Sequence, residues 1–149
     1  MNRNPYDPLA DHFARGRIGQ AQFWAGREFQ KHFGIADRRS EDRAYTLDHL
    51  ERERPGTLTD DQLAAWKWLG KCYRHLGADG SALVHDVLIR AMTAKQIVES
   101  RGRTGQGWER YFTRRFWECL NTLATVYGFS KREKRIRASG AKTQIIGAQ

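Results

Sequence analysis

The chain has few cysteines and no long apolar run. Two cysteines among 149 residues, Cys72 and Cys119, are too few for a disulfide scaffold. Both lie at apolar helix positions, where a free cysteine is typically a small buried hydrophobe. No stretch approaches the roughly 18 apolar residues of a membrane span, and the first ten residues lack a hydrophobic signal region. We therefore expect a cytoplasmic protein with no membrane partner.

Motifs of the common catalytic and metal sites are also missing. The sequence has no CxxC pair, HExxH helix, GxGxxG turn or GxxxxGK phosphate loop. Cys72 and His75 lie about one helical turn apart, but no further metal ligand is placed by spacing. We therefore expect no enzymatic activity, no bound metal and no cofactor.

Acidic residues are outnumbered, 17 against 26 lysines and arginines, which gives a formal net charge of +9. The excess is concentrated in two segments. Residues 101–115 hold five arginines and one glutamate, and residues 130–149 hold six cations and one glutamate. A concentrated basic surface favours a polyanionic partner, which could be DNA, RNA or an acidic protein surface.

Apolar residues recur at three- and four-residue steps along most of the chain, which predicts an all-α fold. We expect a compact domain of about five helices over residues 1–129 and a flexible basic tail over 130–149. Residues 20–33 and 59–76 are predicted helices, and 79–91 form another. In the first two helices we expect bulky apolar stripes that include Trp24, Leu63 and Trp66. The charge-rich residues 35–56 are predicted to be a solvated connection, with a short helix around 45–52.

Residues 92–128 have the pattern of a helix-turn-helix. Thr93 and Gln96 can form a capping box at the start of a short helix over 94–101. Gly102 follows, and glycine adopts the left-handed conformation that ends a helix. Thr104 is the expected cap of the next helix, the recognition helix, over 105–127. Two helices joined by a glycine turn are the layout of the DNA-binding motif.

The predicted recognition helix has two faces. An apolar stripe is predicted to be buried: Trp108, Phe112, Phe116, Cys119, Leu120, Leu123 and Tyr127. The N-terminal residues of a recognition helix contact base edges, and arginine, glutamine and threonine suit that role. The predicted contacts to double-stranded DNA are Arg101, Arg103, Thr104, Gln106, Arg110, Thr113 and Arg114. Tail residues Lys131, Arg132, Lys134 and Arg135 would add phosphate contacts.

These features predict a sequence-specific transcriptional regulator that could pair as a homodimer. Two alternatives remain open at this stage. The helix pair could be an ordinary amphipathic pair whose arginines only solvate a surface. The chain could also be a non-enzymatic, phage-type accessory module that docks on RNA polymerase or another regulator. Trp68 and Trp117 would then be the interface anchors, because tryptophan is enriched in binding hot spots.

Two short motifs give the chain a resemblance to a known family. The first lies near the start: Pro8–Leu9, Ala14–Arg15, Ile18, Gln22, Ala25–Gly26, Phe29 and Phe33. The second is the sequence LNTLATVYG at residues 120–128. Both resemble an alphaproteobacterial helical domain of undefined biochemistry, found in phage-like regulators and in activators of gene transfer agents. The resemblance implies a helical domain linked to transcription or mobile elements, and it implies no catalytic residues.

Overall fold

A computed structural model describes residues 6–45 and 59–130 of the chain. This part is all-helical and contains no strand, as the hydrophobic spacing predicts. Five α-helices follow one another, and a short π-helix lies between the third and the fourth. They are α1 (Pro8–Ala14), α2 (Gln20–Tyr45), α3 (Asp60–Val84), the π-helix (His85–Ile89), α4 (Ala94–Ser100) and α5 (Gln106–Val126).

Helix α2 is longer than predicted. It continues through the charged stretch to Tyr45, where the sequence predicted a solvated connection from residue 35. That prediction treated a lack of apolar residues as a helix end. Alanine, arginine and glutamate favour helix, however, and no proline or glycine interrupts residues 35–45. The short helix predicted around 45–52 lies almost wholly outside the described residues.

Helix α3 begins and bends where the sequence predicts. Thr59 and Gln62 form a capping box, in which the Thr59 hydroxyl accepts a hydrogen bond from the Gln62 N–H at 3.1 Å. Gly77 breaks the helix with a φ of 76°, a conformation that favours glycine. The non-helical backbone at Gly77 separates α3 into two helical segments, as the predicted helices over 59–76 and 79–91 require. The second segment passes into the π-helix at His85 and ends at Ile89, two residues before the predicted end.

The buried face of α3 differs from the predicted stripe. Leu63 and Trp66 were expected inside, but Trp66 is 47% exposed and Leu63 is exposed too. Leu69, Cys72 and Leu76, which the same predicted stripe included, are buried, and Ala65 is the further buried position at the start of the helix. A step of three residues falls about 60° short of a full helical turn. A stripe that runs from residue 69 to 66 to 63 therefore rotates away from the buried face of the helix. A step of four residues keeps Ala65 on the same side of the helix as Leu69.

The core forms where α2, α3 and α5 pack against one another, with α1 against α2 and α4 against α5. Phe29, Phe116 and Leu120 are fully buried at its centre. Leu76, Leu83, Val87 and Ile97 lie in the same cluster, and Phe112 packs against it. Trp24 on α2 was also expected in a buried stripe, but it is 56% exposed.

Gly26 allows α1 and α5 to approach α2 closely. A Cβ atom at this position would lie 2.8 Å from both δ-carbons of Leu9 and 3.3 Å from a δ-carbon of Leu120. The glycine of the Ala25–Gly26 motif therefore has a packing role in this chain. Within the described residues, no helix is both long enough and apolar enough to cross a membrane.

Three histidines pack against aromatic rings at helix junctions. The indole N–H of Trp117 donates to Nδ1 of His12 at 3.1 Å. Nδ1 of His32 lies 2.9 Å from the hydroxyl of Tyr127, and Nε2 of His85 lies 2.8 Å from that of Tyr73. Burial lowers the pKa of all three imidazoles below their ordinary value of 6.5, although Glu28 partly opposes this at His32 and acidic neighbours do so at the other two.

These histidines should make the fold less stable in mild acid. The folded state holds each imidazole neutral below pH 6.5, whereas the unfolded chain takes up protons there, so the free energy of unfolding falls as pH drops from about 7 towards 5. We expect the midpoint of urea unfolding to fall over this range and to change little between about pH 7.5 and 8.5. Replacing His32 with glutamine should reduce the dependence. An unchanged pH dependence in His32→Gln would contradict this expectation.

Candidate nucleic-acid interface

The turn between α4 and α5 is fixed by backbone hydrogen bonds. Thr93 and Gln96 form the predicted capping box of α4. At the other end of α4, Gly102 has a φ of 68°. The N–H of Gly102 donates to the carbonyl of Glu99 at 3.0 Å, and the N–H of Arg103 donates to the carbonyl of Val98 at 3.0 Å. This pair of bonds is a Schellman motif, so the prediction for Gly102 is confirmed.

The start of α5 differs from the prediction. Thr104 was expected to cap the helix, but the N-cap is Gly105, whose φ of 109° favours glycine. No side chain caps this end. Residues 101–105 join the two helices, a connection slightly longer than the usual helix-turn-helix turn of about three or four residues.

The two halves of α5 have different surroundings. Its second half supplies Phe116, Cys119, Leu120 and Leu123 to the core, as the predicted stripe requires. Phe112 and Tyr127, in the same stripe, are only half-buried. In the first half most side chains are exposed, and Trp108 is 36% exposed although it was predicted to be buried. The stripe fails at Trp108 because the core ends before the first turn of the helix.

Arg101 points towards the fold rather than away from it. Its guanidinium lies 2.7 Å from a carboxylate oxygen of Asp86, a side chain of the π-helix that is only 7% exposed. Arg90 approaches the other oxygen of the same carboxylate at 3.6 Å. Arg101 therefore compensates a buried charge and ties the turn to the π-helix.

Arg103, two residues further along the same turn, is exposed and makes no ion pair with the described residues. Its guanidinium carbon is 4.6 Å from the centre of the Trp108 ring, which is cation–π geometry. Both side chains are exposed.

The predicted base-contacting residues divide into exposed and half-buried groups. Gln106, Arg110 and Arg114 are exposed, and their side chains form no hydrogen bond or ion pair with another described residue. Thr104 is exposed too, in the turn. Thr113 is half-buried and lines a small cavity between α1, α4 and α5. The tail residues Lys131, Arg132, Lys134 and Arg135 lie outside the described residues.

The two tryptophans predicted as interface anchors are used within the fold. The ring of Trp68 stacks on His32 and packs against Tyr127. Trp117 donates its indole N–H to His12, and its carbonyl accepts a hydrogen bond from Gln22. The more exposed tryptophans are Trp24 and Trp66, which the spacing had assigned to the interior. Packing against the neighbouring helices, and not the spacing in the sequence, decides that Trp68 and Trp117 are used within the fold while Trp24 and Trp66 are exposed.

The histidine, cysteine and carboxylate side chains of the described ranges are dispersed. These ranges contain no cluster of three or more histidine, cysteine or carboxylate side chains that could hold a metal ion. Cys72 and Cys119 are buried and unpaired, and burial raises the pKa of both thiols. A raised pKa keeps a thiol protonated and poorly nucleophilic.

Comparisons with protein-family models, with curated proteins and with solved structures gave no match to this chain.

Proposed function

We propose that the chain is a transcriptional regulator that binds double-stranded DNA through α4, the turn and the first half of α5. The observation that carries this proposal is the contrast between the two halves of α5. The second half builds the core, whereas the first half presents Arg110 and Arg114 to solvent with no acidic partner in the described chain. Arg101, by contrast, is paired with Asp86 within the fold.

The chemistry of this surface suits the DNA major groove. Arg110 lies four residues after Gln106, and Arg114 four after Arg110, so the three share one helix face. Arginine pairs bidentately with guanine and glutamine with adenine. The basic tail would add phosphate contacts without sequence information.

The proposal is tested by binding the full chain to labelled genomic fragments, including its own upstream region, across a salt series. We expect a few fragments to be retained at about 0.2 M salt over a competitor background. The length of the protected footprint would show whether one copy or a pair binds. Loss of all fragments together as salt rises, with none preferred, would exclude sequence-specific recognition.

A protein-docking module is the second candidate. The observation in its favour is the exposure of Leu63 and Trp66 on α3, together with Trp24 on α2. Large apolar side chains outside the core are typical anchors of protein interfaces. Under this function the chain would dock on RNA polymerase or another regulator, and DNA binding would be weak and without fragment preference.

A further inference from the structure

Trp108 and Arg103 form a contact between the turn and the recognition helix. Trp108 belongs to the first turn of α5, and its ring stacks on Phe112 at 6.0 Å and meets the edge of Tyr111 at 5.6 Å. These neighbours hold the indole on the helix surface. Arg103 comes from the turn, and its guanidinium lies over the outer part of this aromatic group.

The backbone of Arg103 is fixed as well. Its N–H makes the longer-range hydrogen bond of the Schellman motif, to the carbonyl of Val98. The indole of Trp108 then restricts the movement of the Arg103 side chain, which the backbone hydrogen bond leaves free. A guanidinium over an aromatic ring keeps the N–H groups at its edge available for an anion. Arg103 makes no ion pair with the described residues, whereas Arg101, which lies over Phe112, is bound to Asp86.

We propose that Trp108 is a positioning residue that holds Arg103 against a backbone phosphate of the bound DNA. This inference rests on the proposed DNA-binding function. It assigns a phosphate contact to Arg103, whereas Arg110 and Arg114 contact bases. Arg110 and Arg114 lie on the helix that enters the groove. Arg103 precedes that helix, so it lies at the edge of the groove, where the phosphates run. Ordering the side chain before binding lowers the entropic cost of the contact.

The test compares Trp108→Leu, Trp108→Tyr and Arg103→Ala with the unmodified chain, on a preferred fragment and on random-sequence DNA. Arg103→Ala should make the plot of log affinity against log salt shallower by about 0.9, the contribution of one phosphate. Trp108→Leu should weaken binding about two- to fivefold on both DNAs and shift the slope towards that of Arg103→Ala. Trp108→Tyr keeps an aromatic face and should restore most of the affinity.

A double variant separates positioning from a direct contact. If Trp108 acts through Arg103, Trp108→Leu should cause no further loss once Arg103 is alanine. An equal loss in both backgrounds, or an unchanged salt slope in Trp108→Leu, would overturn the inference. An unmodified chain that binds no DNA would defeat the proposed function and this inference together, whereas normal binding by Trp108→Leu defeats the inference alone. Unfolding midpoints of all variants verify that each is folded.

Discussion

Replacing both Arg110 and Arg114 with alanine should lower the affinity for a preferred DNA site about thirtyfold to twenty-thousandfold. Each bidentate contact between arginine and a base contributes roughly 1–3 kcal/mol of discrimination, and about 1.4 kcal/mol corresponds to a tenfold change. Both side chains are exposed and form no hydrogen bond or ion pair with other described residues. Their removal should therefore leave the fold unchanged. Titration of preferred and random fragments at fixed salt measures the effect.

The control for this experiment is Arg74→Ala, which removes an equally exposed arginine from α3. It lowers the net charge of the chain by the same amount as Arg110→Ala alone or Arg114→Ala alone. We expect only a small loss, equal on preferred and random DNA. If Arg110→Ala and Arg114→Ala behaved like this control, the arginines of α5 would act only as general positive charge and base recognition by this helix would be ruled out.

The largest expected effect on stability is that of Phe116→Ala. Phe116 is 1% exposed, lies in the central cluster and packs against the ring of His12. Truncating a buried phenylalanine costs about 3–5 kcal/mol, because transfer free energy is lost and a cavity remains. Natural domains are stable by only about 5–15 kcal/mol, so this loss would lower the urea midpoint severely. Equilibrium unfolding monitored by circular dichroism gives the value.

Tyr111→Ala is the matched control on the same helix. Tyr111 is 51% exposed and contacts only the neighbouring rings of Trp108 and Phe112 among the described aromatics. We expect a loss of about 1 kcal/mol, in the range measured for single aromatic pairs. Comparable losses for Tyr111 and Phe116 would contradict the division of α5 into an exposed first half and a buried second half.

Local features of the fold were predictable because they depend on neighbours in sequence. The capping boxes at Thr59 and Thr93 each need only a hydroxyl and a glutamine three residues apart. The left-handed turn at Gly102 needs only a glycine at the helix end. The cap of α5 was misplaced by one residue, at Thr104 instead of Gly105, because the prediction relied on the threonine hydroxyl, whereas this helix begins without a side-chain cap at a glycine with a φ of 109°.

Burial was predicted less well wherever the partner is distant in sequence. Leu63 and Trp66 have the spacing of a plausible inner face, but Ala65 is the buried residue there and Trp68 is the tryptophan that stacks on His32 of α2. Trp108 fits the stripe of α5 and yet lies beyond the end of the core. Periodicity gives the angle between residues around a helix. It does not say which angle faces the partner helix, or how far along the helix that partner extends.

The sequence by itself determined the helical class, the caps and breaks of α3 and α4, and the concentration of positive charge at residues 101–115. These follow from local backbone chemistry and composition. Only the tertiary structure decided that Arg101 is bound to Asp86 while Arg103, Arg110 and Arg114 remain exposed. The reason is that an arginine is paired or left unpaired by the residues that the fold brings beside it, and Asp86 comes from a different helix.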